Sequence, residues 1–157
     1  VVIPRVGIGF DVHPFSTDPT RRLVIGGVVL AGRGLEGHSD ADVVAHAVAD
    51  ALLGAAGLGD LGSRFPASDP AHAGADSMRL LAEVVAEVRE VYEVGNVDVT
   101  VVADEPRLGQ HLPAMEGLLS EVVGAPVGVK PKAAEGLGTL GRREGVACFA
   151  VAVVVAR

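Results

Sequence analysis

Apolar residues recur with different periods along the chain, and each change of period marks an element. Val6–Val12 reads as a strand carrying two glycines. Leu23–Gly26 and Val28–Leu30 read as a β-arm turned at Gly26–Gly27. Arg33–His38 is a Gly-rich loop. The period then becomes helical. Ser39 is a suitable N-cap and Asp42 follows in a Ser-x-x-Asp capping box, which predicts a helix from about Asp40 to Leu53. Ala, Val and Leu cover most of its circumference. Asp42, His46 and Asp50, one turn apart, make a single polar stripe expected to face a cavity or an interface. Gly54–Asp76 is a Gly- and Pro-containing connection well beyond ordinary loop length, which marks it as functional or mobile. A second helix is predicted at about Ala75–Val91, with Leu80, Leu81, Val84, Val85, Val88 and Val91 on its apolar face. Asn96–Ala103 alternates as a strand, Leu112–Val122 is a short helix, and Val127–Lys130 and Gly145–Ala156 are further strands.

Helices crossing over a sheet indicate a layered α/β (α+β) arrangement. No internal repeat or linker divides the chain, so residues 1–157 read as one domain. The last strand is apolar throughout. It is either a central strand covered on both faces or one that lends a face to a subunit interface.

Composition narrows the function. Apolar residues make up 49% of the chain, enough for a sizeable core. Acidic residues (20) outnumber basic ones (13), for a formal charge of −7. That balance argues against nucleic-acid and anionic-membrane surfaces. Aromatics are 3%, too few for a stacking platform for single strands. Cys148 is the lone cysteine, so a disulfide or a multi-Cys zinc module is excluded. The apolar start is short and runs into charged residues, reading as neither signal peptide nor membrane span. A cytoplasmic enzyme or binding domain is expected.

Asp11 and His13 are two apart on a strand and so share a face. With His46 from the helix they would make a two-His, one-carboxylate set with an open fourth position, as catalytic zinc sites have. The competing reading is a chance surface pair and a core histidine. His38-Ser39-Asp40 at the predicted helix start would suit a phosphate through free backbone N–H groups, or is only a cap. In Gly136–Arg143, Arg142 could grip a phosphate bidentately, or the segment is a solvated basic turn. There is no Gly-x-Gly-x-x-Gly or Walker-type loop and no Gly-x-Ser-x-Gly elbow.

Several motifs occur in order: Gly9-Phe10-Asp11-Val12-His13, Gly26-Gly27-Val28, His38-Ser39-Asp40-x-Asp42-x-x-x-His46, Asp50-Ala51-Leu52-Leu53-Gly54-Ala55-Ala56, Gly59-Asp60-x-Gly62-x-x-Phe65-Pro66, Asn96-Val97-Asp98-Val99-Thr100 and Gly141-Arg142. Together, over nearly the whole chain, they resemble the 2-C-methyl-D-erythritol 2,4-cyclodiphosphate synthase family of the non-mevalonate isoprenoid pathway. The resemblance implies a ferredoxin-like-type sheet with helices packed on one face, in a homotrimer with active sites between subunits. It implies conversion of 4-diphosphocytidyl-2-C-methyl-D-erythritol 2-phosphate into the cyclic diphosphate and CMP. By that likeness Asp11, His13 and His46 hold Zn²⁺, and Mg²⁺ or Mn²⁺ bridges the substrate diphosphate. His38 and Ser39 meet the substrate phosphates. Asp60, Gly62, Phe65 and Asp69 line the methylerythritol part. Ala103, Asp104, Glu105, Pro106, Arg107, Leu108 and Gly109 form the cytidine pocket of the adjoining subunit. Lys132, Ala133 and Glu135 stand near the cytidylyl phosphates, and Arg142 faces a phosphate. His38, Ser39, Lys132 and Ala133 are the expected catalytic positions.

The sequence departs from the family at one point. Lys130-Pro131-Lys132-Ala133-Ala134-Glu135 stands where the family usually has Lys-Ala-Thr-Thr-x-Glu, so the threonine hydroxyls are missing. Arg143 replaces a usual glycine. These changes motivate an alternative, a trimeric metal-binding sensor or binding protein with weakened cyclase activity. A phosphohydrolase using metal-bound water is a third reading.

Overall fold

A computed structural model describes residues Val1–Arg157. The chain runs through β1 (Arg5–Pro14), β2 (Leu23–Ile25), β3 (Val28–Leu30), α1 (Val43–Ala56), α2 (Leu61–Arg64), α3 (Ser77–Val88), β4 (Tyr92–Val102), α4 (Leu112–Val123), β5 (Val127–Lys132), α5 (Gly138–Gly141) and β6 (Gly145–Ala156). The four long strands form one mixed sheet in the order β1-β6-β4-β5, and β2 and β3 form a separate hairpin. β6 is antiparallel to both neighbours, whereas β4 and β5 are parallel and joined by the crossover helix α4. The α/β layering matches expectation. The chain order does not: a ferredoxin-like sheet follows β-α-β-β-α-β, but in this sheet helices separate β1 from β4 and β4 from β5, and β6 follows β5 across only the short α5.

The period-2 alternation decides which residues meet the helices. Gly7, Ala152, Val97 and Val127 form one row across the sheet, and Gly9, Ala150, Val99 and Val129 the next. Both rows are buried. The small residues are there because α1 lies on β1 at backbone contact. A Cβ on Gly9 would sit 1.9 Å from the Ala47 carbonyl oxygen, and one on Gly7 2.0 Å from that of Ala51. Gly7, Gly9, Asp11 and His13 alternate on the same side of β1. The strand therefore carries its two polar residues out from under the helix, toward the turn that holds His46.

The opposite face of the sheet is apolar and open. Ile8 is 70% exposed and Phe149 43%, with Val6, Phe10, Val12 and Val151 beside them. The Phe10 and Phe149 rings are 4.9 Å apart. β6 is thus a central strand covered by helices on one face only.

Boundaries differ from the expected ones for local reasons. α1 starts at Val43, not near Asp40, because Asp42 is its cap and accepts from Val44 N–H (3.1 Å) and Ala45 N–H (3.2 Å). The preceding residues are a turn: Ala41 has φ 57°, and its N–H donates to Ser39 Oγ. α3 starts at Ser77, capped by Asp76. The long connection is partly ordered into α2 and a 3₁₀ turn at Pro70–His72, capped by Asp60 and Asp69. β4 begins at Tyr92 and continues past an irregularity between Val94 and Asn96. No helix is long and apolar enough to cross a membrane.

Asp42 is fully buried, and Gly26 and Gly27 of the β2–β3 turn also donate to it, at 2.8 and 2.7 Å. Burial pushes its pKa up from the ordinary value, and these N–H groups pull against that shift.

Gly9→Ala should prevent α1 from seating, because the clashing atoms are backbone. A loss of more than about 4 kcal/mol is expected, read as failure to recover folded protein or a collapse of the urea midpoint. A variant with wild-type stability would show that α1 can lift off β1 without harm.

Candidate metal centre and active site

β1 presents Asp11 and His13, and α1 presents His46. The three offer ligand atoms that all lie within 4.8 Å of one another. Asp11 Oδ2 is 2.8 Å from His13 Nε2 and 2.9 Å from His46 Nδ1, and the two ring nitrogens are 3.3 Å apart. One carboxylate oxygen and two imidazole nitrogens thus converge on one point, a donor set that suits a divalent ion and leaves a coordination position open. His13 is held from behind, with Nδ1–H donating to the Glu36 carbonyl at 2.7 Å. That bond leaves Nε2 as the lone-pair nitrogen facing the centre.

The electrostatics follow from this crowding. For Asp11, burial raises the pKa, but hydrogen bonds and charge from His13 and His46 outweigh it and hold the carboxyl at about 2. For His13, burial lowers the pKa, and the Asp11 carboxylate more than reverses that. Asp50 also faces the cleft. It accepts from Leu61 N–H at 2.7 Å, and burial and then the Asp60 charge raise its pKa.

These residues line a cleft of about 270 Å³ together with His38, Ser39, Gly62, Phe65 and His72. Asp60 and Asp69 are placed at its edge as helix and turn caps and do not line it. His38 Nε2–H donates to the Asp69 carbonyl at 2.9 Å, which ties the ring to the turn that Asp69 caps. The expectation that a helix N-terminus at Ser39–Asp40 binds phosphate is corrected here. The Asp42 carboxylate occupies that terminus, and Asp40 N–H donates to the Ala75 carbonyl.

The remaining predicted residues gather elsewhere. Ala103, Asp104, Pro106, Arg107, Leu108, Gly109, Lys132, Ala133 and Glu135 line a second cleft of about 580 Å³. Its lining shares no residue with the metal cleft and contains no hydroxyl side chain. Asp104 ties the two loops of this cleft together by accepting from Ala134 N–H (2.6 Å) and Gly136 N–H (3.1 Å). Glu105 lies outside the cleft and pairs with Arg143 at 2.9 Å. Arg142 lines neither cleft and pairs with Glu144 at 2.8 Å; Arg143, with φ 60°, is the arginine on the second cleft.

Two contributors escaped the sequence reading. Ser77 is buried with Oγ 2.9 Å from His46 Nε2, and Asp40 accepts from Ser77. Asp76-Ser77 is legible as a helix start, but its meeting with α1 is a product of packing. His72 reaches the cleft edge-on to Phe65, with ring centroids 5.2 Å apart.

The sequence profile of the YgbB family matches residues 4–155. The 2-C-methyl-D-erythritol 2,4-cyclodiphosphate synthase of Symbiobacterium thermophilum is 50% identical over 157 residues, covering 97% of this chain and 99% of that one. The chain belongs to the cyclodiphosphate synthase family. The synthase of the same name from Porphyromonas gingivalis is 49% identical, covering 97% and 96%. Among solved structures, a bifunctional IspDF from Campylobacter jejuni superposes with a TM-score of 0.94 at 36% identity, over all of this chain and 43% of that one. A CDP complex of IspF from Plasmodium falciparum gives 0.85 at 29% identity, covering 98% and 97%.

The pKa directions give opposite pH effects on the metal-free and metal-bound forms of this family member. His13, raised, stabilises the metal-free fold below the ordinary imidazole value, and that contribution is lost as pH rises through its shifted pKa. Asp11, lowered, contributes above the ordinary carboxylate value and is lost as pH falls toward about 2. A metal needs His13 neutral. Between about pH 8 and about pH 6, acidification should raise the metal-free Tm and shrink the Tm gain from added Zn²⁺. A zinc-induced gain that does not change over that range would contradict His13 as a ligand.

Proposed function

We propose that the chain is a 2-C-methyl-D-erythritol 2,4-cyclodiphosphate synthase working as a homotrimer, with the metal cleft of one subunit completed by the second cleft of its neighbour. The observation that carries this reading is the separation of the two clefts. Their linings share no residue, yet a substrate with a methylerythritol phosphate at one end and a cytidine at the other needs both. The open apolar sheet face supports the assembly, since exposed patches of this kind mark interaction surfaces.

In the reaction an oxygen of the substrate 2-phosphate forms a bond to the inner phosphorus of the diphosphate. The bond from that phosphorus to the CMP oxygen breaks, and CMP leaves with the electron pair. No protein nucleophile is needed. The chain's task is to hold two phosphates together against their repulsion. His38 and Ser39 bound the cleft where the first phosphate enters. Arg107, Lys132 and Arg143 bring positive charge to the cytidylyl side, where Ala133 offers no hydroxyl. Asp11, His13 and His46 would hold Zn²⁺, and Mg²⁺ or Mn²⁺ would accompany the substrate diphosphate; such ions would supply Lewis-acid chemistry that draws charge from phosphoryl oxygens. This also reconciles a chain of net charge −7 with an anionic substrate. Closure of the cleft by the neighbouring subunit would keep competing water away from the phosphorus. The alternative of a binding protein with weakened turnover rests on the missing threonine hydroxyls alone, whereas the relatives described above carry the synthase name.

Incubation with the cytidylyl substrate and Mg²⁺ should release CMP and the cyclic diphosphate in equal amounts, measured together by mass spectrometry. Inorganic phosphate as product would indicate a hydrolase. His46→Ala should lose zinc and turnover while staying folded. Ile8→Asp, on the open sheet face, should shift native mass spectrometry from trimer to monomer and reduce activity; a trimer retained in that variant would place the interface elsewhere.

A further inference from the structure

A metal-binding imidazole must present a lone pair, and the side chains behind it decide which nitrogen that is. For His13 the Glu36 carbonyl fixes this. His46 has no backbone carbonyl behind it. Its Nδ1 faces Asp11 and His13, and its Nε2 points to Ser77 Oγ at 2.9 Å and Ser39 Oγ at 3.1 Å. Ser77 is 1% exposed and donates its hydroxyl proton to Asp40 Oδ1, while its N–H reaches Asp40 Oδ2 at 3.2 Å. An ionised carboxylate only accepts, so it takes the single Ser77 hydroxyl proton and turns the oxygen's lone pairs toward Nε2. Nε2 must then carry a proton, so Nδ1, which faces the Asp11 carboxylate at 2.9 Å, is the nitrogen that can open to a metal.

We propose that Ser77 and Asp40 are positioning residues that set the tautomer and ring orientation of His46, so that its Nδ1 lone pair is aimed at the metal. The proposal rests on the reading that Asp11, His13 and His46 hold a metal. It is distinct from helix capping, because α3 is already capped by Asp76, which accepts from Met78 N–H at 2.9 Å. It also separates the two serines. Ser39 accepts from Ala41 N–H at 3.1 Å and lines the cleft.

The test uses the full chain as wild type, Ser77→Ala and Asp40→Asn. Zn²⁺ affinity is measured by competition with a chromophoric chelator, and the metal-free Tm is measured alongside. Imidazole ¹⁵N NMR reports the His46 tautomer in the metal-free wild type. Ser77→Ala should weaken zinc binding roughly 10–100-fold with little change in the metal-free Tm. Asp40→Asn keeps an acceptor oxygen and should lose less. The wild-type spectrum should show His46 protonated on Nε2. Wild-type zinc affinity in Ser77→Ala, or a wild-type His46 with no proton on Nε2, overturns the proposal. The NMR arm stands even where a variant folds poorly. A wild-type chain with no zinc affinity overturns the metal reading itself, an outcome distinct from a variant-specific loss.

Discussion

The contact between α1 and β1 governs the rest of the molecule. Helix and strand touch through backbone, with Gly7 and Gly9 beneath Ala51 and Ala47. Packing at this distance leaves no room for repacking, because the clashing partners are carbonyl oxygens and not side chains that could turn away. It also fixes the separation between the polar end of β1 and the first turns of α1. The convergence of Asp11, His13 and His46 is a consequence of that fixed separation. A metal site assembled from two elements needs placement to a fraction of an ångström, and a glycine–alanine seam supplies it.

Asp42 is the second constraint. Its carboxylate serves as cap for α1 and as receiver for the Gly26 and Gly27 N–H groups, so it ties the β2–β3 hairpin to the helix. The helix terminus is thereby satisfied from within the chain. The strap of residues 38–41 is then free to fold as a turn that brings Ser39 and Asp40 against Ser77. A polar stripe on one helix thus divides in two: Asp42 turns inward to build the fold, and His46 and Asp50 face the cleft.

Much of this was legible in the sequence. The strand–arm–helix order, the two glycines of β1, the Asp11-x-His13 spacing and the polar stripe through His46 are local patterns, whereas the meeting of His13 and His46 across 33 residues is a product of packing. The cap was misplaced because Ser39 and Asp42 are both good capping residues, and only the positive φ of Ala41 decides between them. The strand order was not legible, since sequence periodicity does not say which strand β6 lies beside. Ser77 was missed for a related reason: its partner is 31 residues away, on another helix. Arg142 and Arg143 are neighbours with opposite fates, and the backbone twist at Arg143 sends its side chain to the second cleft.

That twist sets a tension between durability and charge. Arg143 adopts a left-handed backbone that costs a residue with a Cβ about 1 kcal/mol or more. A glycine there would relax the turn and remove one of three cationic side chains, with Arg107 and Lys132, from a cleft lined by no hydroxyl. The position is therefore one where a more stable chain and a better-charged cleft call for different residues, and arginine is the residue of the latter.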